Sequence, residues 1–151
     1  MNRRTILASA MSLACLHPAF ASEPAIFTTT LGEKAGVAVG GYDTVSYFQN
    51  GDPQLGKTEF ATSWQGVSWR FANAANLAAF QANPEKYAPQ YGGYCADGVA
   101  AGDAASSNPL AWTIVRGKLY LNSSTYVRKT WLSNVEGKIS KADANWPAVL
   151  H

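Results

Sequence analysis

Soft metal ligands are scarce in this chain: its 151 residues include two cysteines, Cys15 and Cys95, and two histidines, His17 and His151. Lysine and arginine never gather into a run, so nothing is built to track a phosphate backbone, and nucleic acid is not an expected partner. Beyond the first residues no segment is long and apolar enough to span a membrane. Internal repeats, low-complexity tracts, a Gly-x-Ser-x-Gly elbow and a phosphate-cradling glycine loop are also missing. These absences leave a small domain with no complete catalytic constellation. The chain is not expected to be an enzyme.

Residues 1–21 read as an export signal. Arg3 and Arg4 form a basic start, and Ile6 to Leu16 is a mostly apolar run too short to cross a bilayer. Ala19-Phe20-Ala21 then supplies small residues at −3 and −1, which places the cut before Ser22. Asn2-Arg3-Arg4-Thr5-Ile6-Leu7 is similar to a twin-arginine signal, although Asn2 and Ala8 depart from the usual flanks and leave the general secretory route equally open. Ser12-Leu13-Ala14-Cys15 is a weaker lipoprotein signal, because Ser12 stands where a large apolar residue is wanted. The expected location is a bacterial periplasm.

Removing this leader takes two of the 12 basic residues and none of the 10 acids, so the 130 residues from Ser22 are near neutral. That length suits one compact domain with one core. Cys15 and His17 leave too. Cys95 and His151 alone cannot form an intramolecular disulfide or a closed Cys₄ or Cys₂His₂ zinc site. A lone thiol in an oxidising compartment is either buried and inert, or a ligand or partner-pairing group; the sequence weighs the two about evenly.

Residues 22–34 are polar and threonine-rich, and read as a flexible or loosely docked arm; the folded domain is expected over 35–151. Val37 and Val39 alternate into Gly40-Gly41, and Asp43 is an N-cap for a short helix over Thr44 to Phe48, or else a polar site residue. Asn50-Gly51-Asp52-Pro53 closes that helix as a turn. Phe60, Thr62 and Trp64 alternate, Gln65-Gly66 turns, and Val67, Trp69 and Phe71 alternate back, which predicts a hairpin with Trp69 and Phe71 in the core. Asn73 caps a helix over Ala74 to Ala82 with Leu77 and Phe80 on one side, and Pro84 restarts the chain. Asp97 to Asn108, rich in Ala, Gly, Ser and Asp, reads as a surface loop. A second hairpin follows: Trp112 to Val115, a turn at Arg116-Gly117, then Lys118 to Leu121. Asn122 or Ser123 caps a helix to about Asn134, Gly137 interrupts, and Lys138 to Asn145 forms the last helix. The sum is a small α+β domain of two antiparallel β-hairpins packed with short helices.

The densest stretch runs from Asn83 to Ala96: Asn-Pro-Glu-Lys-Tyr-Ala-Pro-Gln-Tyr-Gly-Gly-Tyr-Cys-Ala. Prolines fix φ while Gly92 and Gly93 open backbone angles closed to other residues, so the segment can stiffen, turn sharply and hold Cys95 with three phenols in place. The candidate ligand-binding residues are Cys95, Tyr94, Tyr91, Tyr87, Asp43 and Trp112, with Cys95 the candidate metal ligand.

The order Gly40-Gly41-Tyr42-Asp43, Trp69-Arg70-Phe71, Phe80, Asn83-Pro84-Glu85-Lys86-Tyr87 and Tyr91-Gly92-Gly93-Tyr94-Cys95-Ala96 resembles the YHS domain family, specifically its secreted single-domain bacterial branch. Ala111-Trp112-Thr113-Ile114-Val115 and Ala142-Asp143-Ala144-Asn145-Trp146-Pro147 fit that branch too, so the resemblance covers nearly everything from Ala35 onward. It implies a YHS-like fold and an association with heavy-metal handling. The sequence departs from the metal-binding members, whose cysteine positions here hold Ser46, Ala72 and a residue near Asn76. The fold carries over; the metal site does not carry over residue by residue.

Three functional readings follow. The first is a periplasmic binding module for a heavy-metal ion or small ligand near Cys95, with Cu or Zn as the metals a thiolate suits and the missing ligands drawn from a second chain, the tyrosines, Asp97 or the ligand itself. The second is thiol-redox or protein-interaction chemistry, with Cys95 reactive toward a partner and Arg70 or Arg116 lowering its pKa through the fold. The third takes the tyrosines as core aromatics and Cys95 as a small buried residue. A Cys95–His151 dyad is not expected, because chain ends are usually mobile.

Overall fold

The computed structural model describes residues 22–29, 34–49 and 51–151. The expected leader with its cleavage site, part of the arm, and Asn50 lie outside the described residues. Among those described, six α-helices accompany three two-stranded antiparallel sheets, a small α+β domain. No helix among them is long and apolar enough to cross a membrane.

The first aromatic hairpin forms where alternation placed it. Strand β3 (Lys57–Trp64) pairs with β4 (Val67–Phe71) in the register Thr62↔Trp69 and Trp64↔Val67. The turn between them puts Gln65 at φ 50° and Gly66 at φ 74°, the two positive angles that let a two-residue loop follow the strands' twist. Trp69 and Phe71 point inward from β4, and Phe80 of α2 (Ala74–Ala82) stacks on Trp69 with centroids 5.0 Å apart and lies 4.9 Å from Phe71. Asn73 caps α2, accepting from Asn76 N at 2.8 Å, and Asn83 caps α3 (Pro84–Tyr87), accepting from Lys86 N at 3.3 Å.

Other segments differ from expectation. A third, minimal sheet pairs β1 (Tyr42–Asp43) with β2 (Gln54–Leu55), and the helix after Asp43, α1 (Ser46–Gln49), is shorter than its expected span. The expected loop over Asp97 to Asn108 begins as a helix, α4 (Ala96–Ala101), ended by Gly102 at φ 88°. A thiol is not among the usual caps, and the internal Gly98 hid the helix; its buried Val99 and Ala100 are recruited by packing against the last helix. Beyond the second hairpin, β5 (Asn108–Val115) with β6 (Lys118–Asn122), the cap of α5 (Thr125–Leu132) is Ser124, not Asn122 or Ser123. Asn122 is turned into the interior instead. Gly137 does not interrupt α6 (Val135–Asn145); its amide donates to the capping Asn134 side chain at 3.2 Å.

Among the described residues the expected single core divides into two clusters. One gathers Ile26, Val45, Tyr47, Trp69, Phe71 and Phe80; the other gathers Tyr91, Tyr94, Val99, Trp131, Ile139 and Leu150. Strand β6 divides them: Leu119 and Leu121 face the first, and Tyr120 the second. A strand buried on both faces leaves only Lys118 at its exposed end.

The described start of the arm is docked rather than loose. Glu23 N donates to Leu150 O at 2.7 Å, Phe27 N to Gly92 O at 2.9 Å, and Ile26 is buried in the first core.

Candidate functional site

The 3₁₀ turn Gln90–Gly93 is the tightest feature of the central stretch. Tyr91 (φ 54°), Gly92 (φ 59°) and Gly93 (φ 85°) are consecutive left-handed residues. A Cβ on residue 92 would collide with the Ala25 carbonyl oxygen of the docked arm, so glycine there serves both the angle and the close approach. Tyr91 adopts an angle that costs a side-chain-bearing residue about 1 kcal/mol. It is held by its phenol, which donates to Asp143 Oδ1 at 2.7 Å.

The turn delivers Cys95 to the start of α4, but in a closed setting. The thiol is 2 % exposed. Its Sγ accepts from Ser123 N at 3.2 Å and Gly98 N at 3.5 Å, and lies 3.8 Å from Asn122 Oδ1, to which the S–H donates. All three partners are neutral, and neither Arg70 nor Arg116 is one of them; Arg116 instead pairs with Glu136 at 2.9 Å. Asp97 pairs with Lys138 at 2.6 Å. Among the described residues no group of three or more His, Cys, Asp or Glu side chains could hold a metal ion. The surroundings of Sγ therefore do not fit a closed Cu or Zn centre made by the described residues: the sulphur is engaged by two backbone amides and faces a neutral side-chain amide.

Asp43 is a second buried polar knot. Its Oδ1 accepts from Val45 N at 2.9 Å and Ser46 N at 3.3 Å, which is the expected cap. Its Oδ2 accepts from Ala72 N at 2.9 Å and Asn76 Nδ2 at 2.6 Å, ties across the fold that spacing could not show. Ser46, Ala72 and Asn76 thus meet on one carboxylate.

The other candidates divide between the two cores. Tyr87 packs edge-on against Phe48 (5.4 Å) and Trp112 against Tyr47 (5.5 Å), both beside the first core. Tyr91 and Tyr94 share Trp146, at 6.0 and 6.2 Å, in the second. The Tyr94 phenol donates to Pro24 O at 2.8 Å, and burial, with a smaller contribution from Glu23, pushes its pKa up to about 12. Burial, then the bond to Asp143, raises Tyr91 well above the usual phenol range. Tyr47, whose phenol donates to Pro109 O, is raised chiefly by burial. These phenols are held protonated and act as donors.

A cavity of about 420 Å³ opens beside Tyr91, not beside the thiol. Its walls come from four places: Ala25 and Ile26 of the docked arm, Trp64 and Gln65 at the hairpin turn, Glu85 with Ala88 to Gly92, and Trp146, Pro147 and Leu150. A smaller cavity of about 220 Å³ between β3 and α2 shares Trp64 with it. Of the expected site residues only Tyr91 lines either one. Trp64, Glu85 and Trp146 were not among the candidates; an aromatic at a hairpin turn and a Trp-Pro pair after the last helix are the only signals that pointed there.

Comparisons of the chain with protein-family models, with curated proteins and with solved structures return no match.

Proposed function

We propose that this chain is an exported, periplasmic binding module for a small molecule, and that the ligand enters the cavity beside Tyr91. The observation that carries this is the contrast in access. A 420 Å³ opening of ligand size is built by segments from both ends of the chain. Cys95, by contrast, is enclosed with its sulphur engaged. The strained Tyr91 forms part of the cavity wall, and backbone strain of that kind gathers at binding sites. The YHS resemblance remains part of the proposal. It is supported by the nearness of the positions that the resemblance matches to cysteines, Ser46, Ala72 and a residue near Asn76, since Ser46, Ala72 and Asn76 all bond the Asp43 carboxylate.

Native mass spectrometry of the purified protein, beside Cys95→Ser and Gln90→Trp variants, tests the reading. Gln90 is a partly exposed lining residue, so the larger side chain obstructs the opening. A small-molecule adduct kept in Cys95→Ser and lost in Gln90→Trp is expected. An adduct that follows the thiol, or a bare protein that also shows no thermal shift across a panel of small metabolites, would overturn it.

A further inference from the structure

Taking the Tyr91 cavity as the binding site, we infer that its ligand is an organic monocation, an alkylammonium group on a compact apolar body. Among the residues lining the cavity, Glu85 carries the only charged side chain, and no Lys, Arg or His lines it. Glu85 is exposed and, among the described residues, has no ion-pair partner. An anion would be repelled by this carboxylate with no cation on the wall to offset it; a cation would be drawn to it.

Two indoles complete the case. Trp64 is fixed edge-on by Trp69 (5.5 Å) and Phe80 (5.8 Å), and Trp146 is held between Tyr91 and Tyr94. Both are only partly buried, and both line the cavity, as does Tyr91. Indole is the best aromatic partner for an ammonium group, and rings locked by their neighbours lose little freedom when a ligand arrives. A neutral ligand would use the amides of Gln65 and Gln90 but gain nothing from Glu85.

The test compares choline with 3,3-dimethyl-1-butanol, its uncharged isostere, by titrating intrinsic tryptophan fluorescence of the purified protein. Choline is expected to bind about tenfold tighter, because a cation over a partly exposed indole and the Glu85 carboxylate each contribute a few-fold. Glu85→Gln, an exposed change that leaves the thermal midpoint where it was, is expected to weaken choline about threefold to fivefold and its isostere not at all. Equal affinity for the two probes, or no loss of choline in Glu85→Gln, overturns the cation assignment while leaving the cavity as a binding site. If neither probe binds, the cation assignment also falls; the adduct lost in Gln90→Trp then decides separately whether the cavity binds anything.

Discussion

Asp43 and Cys95 occupy parallel positions: each is buried, each caps a short helix, and each ties that helix to a hairpin strand or its end. Their chemistry is unlike. An ionised carboxylate accepts only, with room for about four donors, and Asp43 has four N–H groups on it. A thiol is a weak donor and a weak acceptor, so the contacts of Cys95 at 3.2 to 3.8 Å hold far less energy. The comparison teaches that equal burial and equal connectivity do not mean equal weight. The carboxylate is expected to anchor the first core, while the thiol fills a place in the chain that another small residue could hold.

The largest effect should come from removing the anchor. Asp43→Ala strands four donors, three of them buried, and is expected to cost about 4 kcal/mol, read as a fall in the urea midpoint at constant slope. Asp43→Asn keeps the size but turns an NH₂ toward donors, and should cost about half as much. If Asp43→Ala were tolerated as easily as Cys95→Ser, the contrast would be lost.

Next comes the thiol. Cys95→Ser is expected to cost about 1 kcal/mol, since a hydroxyl can take over the same partners at imperfect distances. Native protein should leave DTNB unreacted and release one thiol equivalent from Cys95 on unfolding. Fast native labelling would show that the enclosure is not kept in solution. Asn122→Ala sharpens the point: Asn122 accepts from Asp97 N at 3.3 Å as well as facing the thiol, and its loss should make Cys95 react faster with DTNB at a cost of about 1–2 kcal/mol.

The smallest effect is a pH dependence shared by both regions. The phenols of Tyr47 beside Asp43, and of Tyr91 and Tyr94 before Cys95, are all held above the ordinary phenol value of 10.0 by burial. The unfolded chain releases these protons first, so their contribution is whole below pH 10 and is lost as pH rises beyond it, for Tyr94 up to about 12. Alkaline titration of the thermal midpoint should show this decline, and Tyr94→Phe should make it shallower.

What was legible in the sequence had short range. The Gln65-Gly66 turn, the Asn73 cap, the restart at Pro84 and the inward Trp69 and Phe71 depend on interactions within a few residues and on the two-residue period of a strand, and all formed as expected. Asp43 was half legible: its cap to Ser46 is local, its bonds to Ala72 and Asn76 are not. Cys95 was singled out correctly as a fixed residue, yet composition could not say whether the turn would present it or bury it.

The sequence by itself determined the two hairpins, the starts of α2 and α3 and the sharp turn before the thiol, because backbone sterics and side-chain-to-backbone bonds act between near neighbours. Tertiary structure alone decided the rest. It divided the interior on the two faces of β6, made a helix of Ala96–Ala101 by packing, and closed Cys95 against Asn122 and Ser123. It also assembled one cavity from Ala25, Trp64, Glu85 and Trp146. Those outcomes depend on which distant surfaces bury one another, and no period or cap in the chain encodes that choice.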